Sequence, residues 1–106
     1  SGKTKAQIAV EYIDADDRYM EYLQKSGKKV ACILMDVNNI TLFLKFLKLD
    51  ILKGSNIDDV IDYATKKDNV EYSSYLLEYK QRKLGGKLTD GMLGSCRKVL
   101  EQENRR

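Results

Sequence analysis

A weak internal repeat, with a spacing of about 30 residues, constrains the fold of this chain more than any other feature. Residues 39–43 align with residues 69–73, and residues 30–34 align with residues 60–64. Each copy has the pattern of a short helix, a tight polar turn and a second helix. Repeats of this length form stacked helical hairpins, because a single hairpin cannot bury its apolar face alone.

Hydrophobic periodicity predicts an all-α fold of six or seven helices. The fourth helix, residues 40–49, is apolar on nearly all sides and leaves Thr41, Lys45 and Lys48 for solvent. Such a helix lies at the centre of a fold, covered on both flanks. A buried strand is the competing interpretation, which we reject because the flanking segments have helical patterns.

Polar and glycine residues predict where several helices begin and end. Asp14 is expected to cap the second helix, and Gly27 to stop it. Ser55 and Asp58 have capping-box spacing and predict the start of the fifth helix. The sixth helix is expected over about residues 70–83, since Gly85-Gly86 breaks the pattern.

The 106 residues are predicted to form one helical domain, 1–106. Within it, residues 28–83 form two stacked helix pairs, 28–49 and 55–83, and residues 1–27 are N-terminal capping helices. Residues 87–106 form a C-terminal helix and tail. The chain starts at Ser1 without methionine, from which we expect it to be part of a longer protein.

Composition argues against catalysis. The chain has no histidine, the side chain most often used for acid–base chemistry near neutral pH and the commonest metal ligand. No nucleophile and base stand in a recognisable pattern. We therefore predict that the protein is not an enzyme and has no catalytic, cofactor-binding or metal-binding residues.

Cysteine usage and hydropathy suggest a compartment. Cys32 and Cys96 each lie in an apolar helical stripe, which favours isolated thiols in a reducing environment over a disulfide. No run of 18 apolar residues exists, so no membrane span is predicted. The expected location is the cytoplasm.

Residues 69–80 resemble the second helix of an ankyrin repeat, with its apolar start and Leu-Leu-Glu end. Residues 39–49 are similar, and residues 61–64 match the end of that family's first helix. The whole segment 28–83 resembles the degenerate ankyrin-like ends of some bacterial multi-repeat proteins, including leucine-rich-repeat proteins of the Firmicutes. The resemblance implies an α-solenoid fragment that binds proteins and carries out no chemistry.

The favoured function is a non-catalytic protein–protein interaction or scaffold module, the cap of a longer repeat protein. Its partner is an unknown protein, contacted through the turns and through large amphipathic rings. The competing interpretation of these rings, which we prefer, is packing between repeats. The candidate partner-binding residues are Tyr72, Tyr75, Tyr79, Asn38 and Asn69.

Helix six has a second side of mostly small residues, Val70, Ser73, Ser74 and Leu77, which permits close helix approach.

A rival function is a small nucleic-acid-binding domain. It is less favoured, since the net charge of +3 is mild and the basic residues are mixed with acidic ones. It would use the C-terminal basic residues Lys80, Arg82, Lys83, Lys87, Arg97 and Lys98.

Overall fold

A computed structural model of the protein describes residues 2–87, with side chains described up to Leu84. This part of the chain contains six α-helices and one short 3-10 turn, and no strand, which confirms the predicted all-α class. In chain order the elements are α1 Lys5–Glu11, the 3-10 turn Ile13–Ala15, α2 Asp17–Lys25, α3 Gly27–Val37, α4 Ile40–Lys48, α5 Ser55–Lys66 and α6 Val70–Lys87.

The chain divides into two compact units, Ser1–Leu76 and Leu77–Arg106. Helix α6 begins in the first unit and continues into the second. The single-domain organisation and the solenoid stacking of pairs 28–49 and 55–83 stay predictions. The helix and tail expected over 87–106 lie almost entirely outside the described residues.

Helix α3 is at the centre of the first unit. It packs against α1, α2, α4 and α5, and α1 also packs against α2 and α4. The N-terminal helices therefore cover the side of the α3–α4 pair that α5 leaves open. The largest fully buried side chains of this core come from every helix of the unit and from one connection: Val10, Leu23, Val30, Leu34, Phe43, Phe46, Leu52, Val60, Tyr72 and Leu76.

Helix α4 has the predicted exposure pattern. Thr41, Lys45 and Lys48 are exposed, while Phe43 and Phe46 are fully buried. The helix ends at Lys48, one residue earlier than expected. Two phenylalanine rings on one short helix make it the main apolar contributor to the core.

Two predicted helix ends are wrong because glycine has a different role from the one expected. The N-cap of helix α5 is Gly54, one residue before the predicted cap Ser55, and its φ of +57° is a backbone conformation that suits glycine. Ser55 is therefore the first residue of the helix, and no side chain caps the helix. Gly27 starts α3 instead of stopping α2. A Cβ at Gly27 would lie 2.9 Å from Cγ2 of Ile51, so a close approach requires glycine there.

Two further ends also differ from the prediction. Asp16, not Asp14, caps α2 by accepting a hydrogen bond from the Arg18 amide at 2.9 Å, since Asp14 is taken up in the 3-10 turn. Hydrogen bonds from the Arg18 side chain lower the pKa of Asp16 to about 2. Helix α6 runs through Gly85-Gly86 to Lys87, because glycine weakens a helix without forbidding it.

Candidate protein interaction surface

The α3–α4 and α5–α6 turns have the same backbone geometry. Asn38 and Asp68, which are 30 positions apart, both have left-handed backbone, with φ of 57° and 56°. The Asn38 amide donates to the Met35 carbonyl at 3.0 Å, and the Asp68 amide donates to the Thr65 carbonyl at 2.9 Å. Both helices thus end in a left-handed residue that satisfies an otherwise unpaired carbonyl.

The next residue caps the following helix in both copies. Oδ1 of Asn39 accepts from the Leu42 amide at 3.1 Å, and Oδ1 of Asn69 accepts from the Tyr72 amide at a longer 3.5 Å. The Asn69 amide also donates to the Ala64 carbonyl at 2.9 Å, which completes a Schellman motif. Asn69 is therefore a structural cap, and it is half-buried.

Tyr72 joins the two copies. Its hydroxyl donates to Oδ1 of Asn38 at 3.0 Å, and its ring meets that of Phe43 edge to face with centroids 4.8 Å apart. Only 1% of the residue is exposed, and burial raises its pKa above the ordinary tyrosine value. The structure therefore brings the candidate residues Asn38 and Tyr72 together as a packing contact.

The other two candidate rings differ from each other. Tyr79, in the second unit, is 2% exposed, and the cationic groups of Arg82 and Lys83 each lie 5.9 Å from its ring centre. Tyr75 is half-buried. The expectation that all three rings are exposed is wrong for Tyr72 and Tyr79, which are buried. The role of the candidate residues in binding a partner stays a prediction.

Polar contacts join α3 and α5. The Lys28 ammonium lies 3.0 Å from the Asp59 carboxylate. The Tyr63 hydroxyl donates to both oxygens of Asp36, at 2.8 and 3.0 Å, and the Lys67 ammonium lies 3.5 Å from the same carboxylate. The hydrogen bond to Asp36 raises the pKa of Tyr63, while that of Lys67 is raised first by Tyr63 and then by the negative charge of Asp36.

Cys32 lies on the same side of α3, between Lys28 and Asp36 in sequence. Its thiol is free and half-buried. Burial, and then the nearby Asp36 carboxylate, raises its pKa, so the thiolate that reacts with oxidants is disfavoured. Cys96 lies outside the described residues.

The α3–α4 copy and the α5–α6 copy differ in how far the side chains at equivalent positions are exposed. Phe43 is fully buried, whereas its counterpart Ser73 is half-buried; Met35 is 5% exposed, whereas its counterpart Thr65 is exposed. Exposure increases from the first copy to the second at seven positions: Ala31 to Ile61, Cys32 to Asp62, Met35 to Thr65, Ile40 to Val70, Phe43 to Ser73, Leu44 to Ser74 and Leu47 to Leu77.

We call the set Ile61, Thr65, Val70, Ser73 and Ser74 the outer face. Val70 is the most exposed large apolar residue in the described part of the chain, at 69%. The equivalent side of the first copy is covered, as α3 packs on α5 and Phe43 packs on Tyr72. The outer face therefore consists of positions whose counterparts in the first copy are buried or half-buried.

Sequence reasoning found the α6 part of this surface and missed its α5 part. The small-residue side of helix six was predicted from spacing; its fourth member, Leu77, lies in the second unit and is 48% exposed. Comparing the copies position by position gives a signal only for Thr65, a polar residue where the first copy has Met35; Ile61 stands where the first copy has Ala31 and gives no sign of exposure. The tyrosines were chosen instead because ring size, not exposure, can be read from sequence.

Residues 2–87 hold no group of three or more acidic or cysteine side chains arranged for a metal ion, and none of their helices combines the length and apolar character needed to cross a membrane. Of the basic candidates, Lys80, Arg82 and Lys83 lie on α6. The Lys87 side chain, Arg97 and Lys98 lie outside the description.

Comparisons with models of protein families, with characterised proteins and with solved structures found no match to this chain.

Proposed function

We propose that this chain is a non-catalytic protein–protein interaction module built on two ankyrin-like helix pairs. The observation that supports this most is the outer face: its counterpart in the first copy is covered by protein, and here it is open to a partner. The repeated turn, with a left-handed residue followed by an asparagine cap, supports treating the pairs as copies of one unit.

The polar side chains of the outer face are typical of a surface that binds a partner reversibly. Thr65, Ser73 and Ser74 stand where the first copy has Met35, Phe43 and Leu44. Interfaces of reversible complexes are about as apolar as ordinary protein surface, whereas permanent ones resemble a core. Terminal repeats of a stack likewise need a more polar outer side to remain in solution. We infer that α5–α6 acts as the cap of a repeat array.

The environment and the partner are part of the same proposal. The free thiol of Cys32 fits a reducing compartment such as the cytoplasm. The partner is a protein whose identity the chain does not encode. Tyr75 remains a candidate partner contact beside the outer face, since it is not fully buried.

Affinity capture from an extract of the producing cells tests this function. The full chain and its Val70→Asp variant are immobilised and the bound proteins compared. Val70 is the first residue of α6, where an acidic side chain favours the helix, so the fold is retained. We expect Val70→Asp to lose a protein that the unmodified chain retains, and Tyr75→Ser to weaken its retention.

The matched control is Tyr12→Ser, which changes an exposed aromatic residue, 51% exposed, outside the outer face. It is expected to retain the partner. If Val70→Asp and Tyr12→Ser capture the same proteins as the unmodified chain, the outer face is not the binding surface. Capture of nucleic acid, with an affinity that falls steeply as salt rises, would favour the rival function instead.

A further inference from the structure

We propose that a C-terminal segment of this chain, residues 89–100, folds back as a helix and packs antiparallel on an apolar stripe of α6. The stripe consists of Leu77 and Leu84, which are 48% and 45% exposed. Both leucines and the segment belong to the second unit, Leu77–Arg106. The proposed contact therefore lies within that unit, and it does not depend on the interaction function.

The stripe lies on the solvent side of α6. Tyr79, on the other side, is buried, and at about 100° per residue the stripe is turned roughly 150° from it around the helix axis. Leu77 and Leu84 are the exposed large apolar residues among the described residues of this unit. Leucines seven positions apart lie on one face of a helix, and such a face is typical of packing against a further helix.

The sequence after α6 supplies an apolar face of its own. Residues 89–100 lie outside the described residues, so this pattern comes from the sequence alone. Thr89 or Asp90 is expected to cap a helix, and its other side has only polar residues and glycine. Gly91 and Gly94 weaken such a helix, so it needs apolar contact to persist. The apolar residues have helical spacing and are centred on Cys96: Met92, Leu93, Cys96, Val99 and Leu100.

The spacing of the two faces matches when the helices run antiparallel. Steps of four and three residues separate Leu77, Gln81 and Leu84 on α6. Read towards the N-terminus, the segment has the same steps at Leu100, Cys96 and Leu93. Each face spans seven residues, about 10 Å of helix, so the two are equal in length. An antiparallel pair therefore places leucine opposite leucine at both ends and Cys96 opposite Gln81.

The length of the connection selects this segment as the occupant. Helix α6 ends at Lys87, and a cap at Asp90 leaves residues 88–90 to turn the chain. A connection of about two to five residues is usual between antiparallel neighbouring helices. So short a tether gives the segment an effective concentration on the order of millimolar or higher beside the stripe. A second copy or a separate protein has no such advantage.

Disulfide formation in the full chain tests the proposal. Gln81→Cys places a thiol opposite Cys96, whereas Arg82→Cys, the matched control, places it one residue on and about 100° around the helix. Both positions are exposed. Oxidised glutathione is added at low protein concentration, and mass spectrometry of the unreduced peptides distinguishes linkage to Cys96 from linkage to Cys32. We expect Gln81→Cys to link to Cys96 about tenfold faster than Arg82→Cys, because a disulfide requires close Cβ atoms.

A second pair of variants tests whether the stripe holds the segment. Leu84→Ser, added to Gln81→Cys, removes half of the stripe and is expected to slow the linkage to Cys96 by about fivefold or more. Tyr12→Ser, added to the same variant, changes an exposed ring outside the second unit. It should leave the rate unchanged. Circular dichroism checks that all variants keep their helices.

Three results would overturn the proposal. Equal rates for Gln81→Cys and Arg82→Cys would mean that the segment has no preferred side of α6. A rate that Leu84→Ser leaves unchanged would mean that the stripe does not hold it. Linkage of Cys96 only between two chains would make a second copy the occupant.

Discussion

The α3–α4 and α5–α6 pairs have the same turn and different surroundings. Each turn has a left-handed residue followed by an asparagine cap, at 38–39 and at 68–69. Within the described residues, other helices pack on both sides of the α3–α4 pair, whereas the outer face of the α5–α6 pair is exposed or half-buried. Local sequence therefore sets the hairpin, while the bulk of the side chains facing outward decides whether another layer is buried against it.

The strongest test of this difference between the pairs is to truncate the side chains at two equivalent positions. Phe43→Ala removes a fully buried ring that meets Tyr72, and we expect a loss of about 3–5 kcal/mol in the free energy of unfolding. Ser73→Ala, at the counterpart, should change it by less than about 0.5 kcal/mol. Urea denaturation of both variants measures the difference. Similar losses at the two positions would mean that the outer face is covered after all.

A second test concerns the two sides of α4. Changing Leu47, which is 4% exposed, to alanine is expected to lower the free energy of unfolding by about 2–5 kcal/mol, because the smaller side chain leaves a cavity in the core. Lys48 is exposed, so Lys48→Ala should be close to neutral. Thermal unfolding followed by circular dichroism measures both. A marked loss for Lys48→Ala would show that α4 is covered on its solvent side as well.

The left-handed residues allow a finer comparison. Glycine relieves the backbone cost at either position, so Asp68→Gly is expected to be neutral or slightly stabilising. Asn38→Gly also removes the acceptor of the buried Tyr72 hydroxyl, and leaving such a donor unpaired costs about 1–3 kcal/mol. Asn38→Gly should therefore be the less stable variant in chemical denaturation. The reverse order would mean that the hydroxyl finds another acceptor at no cost.

The smallest effect concerns the polar contact between the pairs. Tyr63 and Lys67 have folded pKa values raised above their ordinary values of 10.0 and 10.5. A raised folded pKa contributes stability that is fully present below the unfolded pKa and is lost as pH rises through the folded one. We expect the stability difference between the unmodified chain and Tyr63→Phe to be constant up to about pH 9 and to shrink above pH 10. A difference that grows with alkalinity would contradict the assigned contact.

Much of this fold follows from the sequence because burial periodicity is a strong signal. The helices of 40–49 and 55–66 were predicted within a residue or so, from apolar spacing and a run of charge at the ends. Glycine positions were misread, since Gly27 and Gly54 act through a tertiary contact and a positive φ that no local pattern shows. The outer face was found only in part, since exposure depends on what neighbouring helices cover.

The connection between the two pairs, residues 49–54, has a consequence for how they move. Leu52 is 1% exposed, and the Ile51 side chain lies so close to the backbone of Gly27 that a Cβ there would force it to shift. The joint is thus anchored in the core, and swinging the pairs apart would draw Leu52 into water. A segment fastened in this way opens only by local unfolding, so α3 and α5 separate only when the connection between the pairs unfolds.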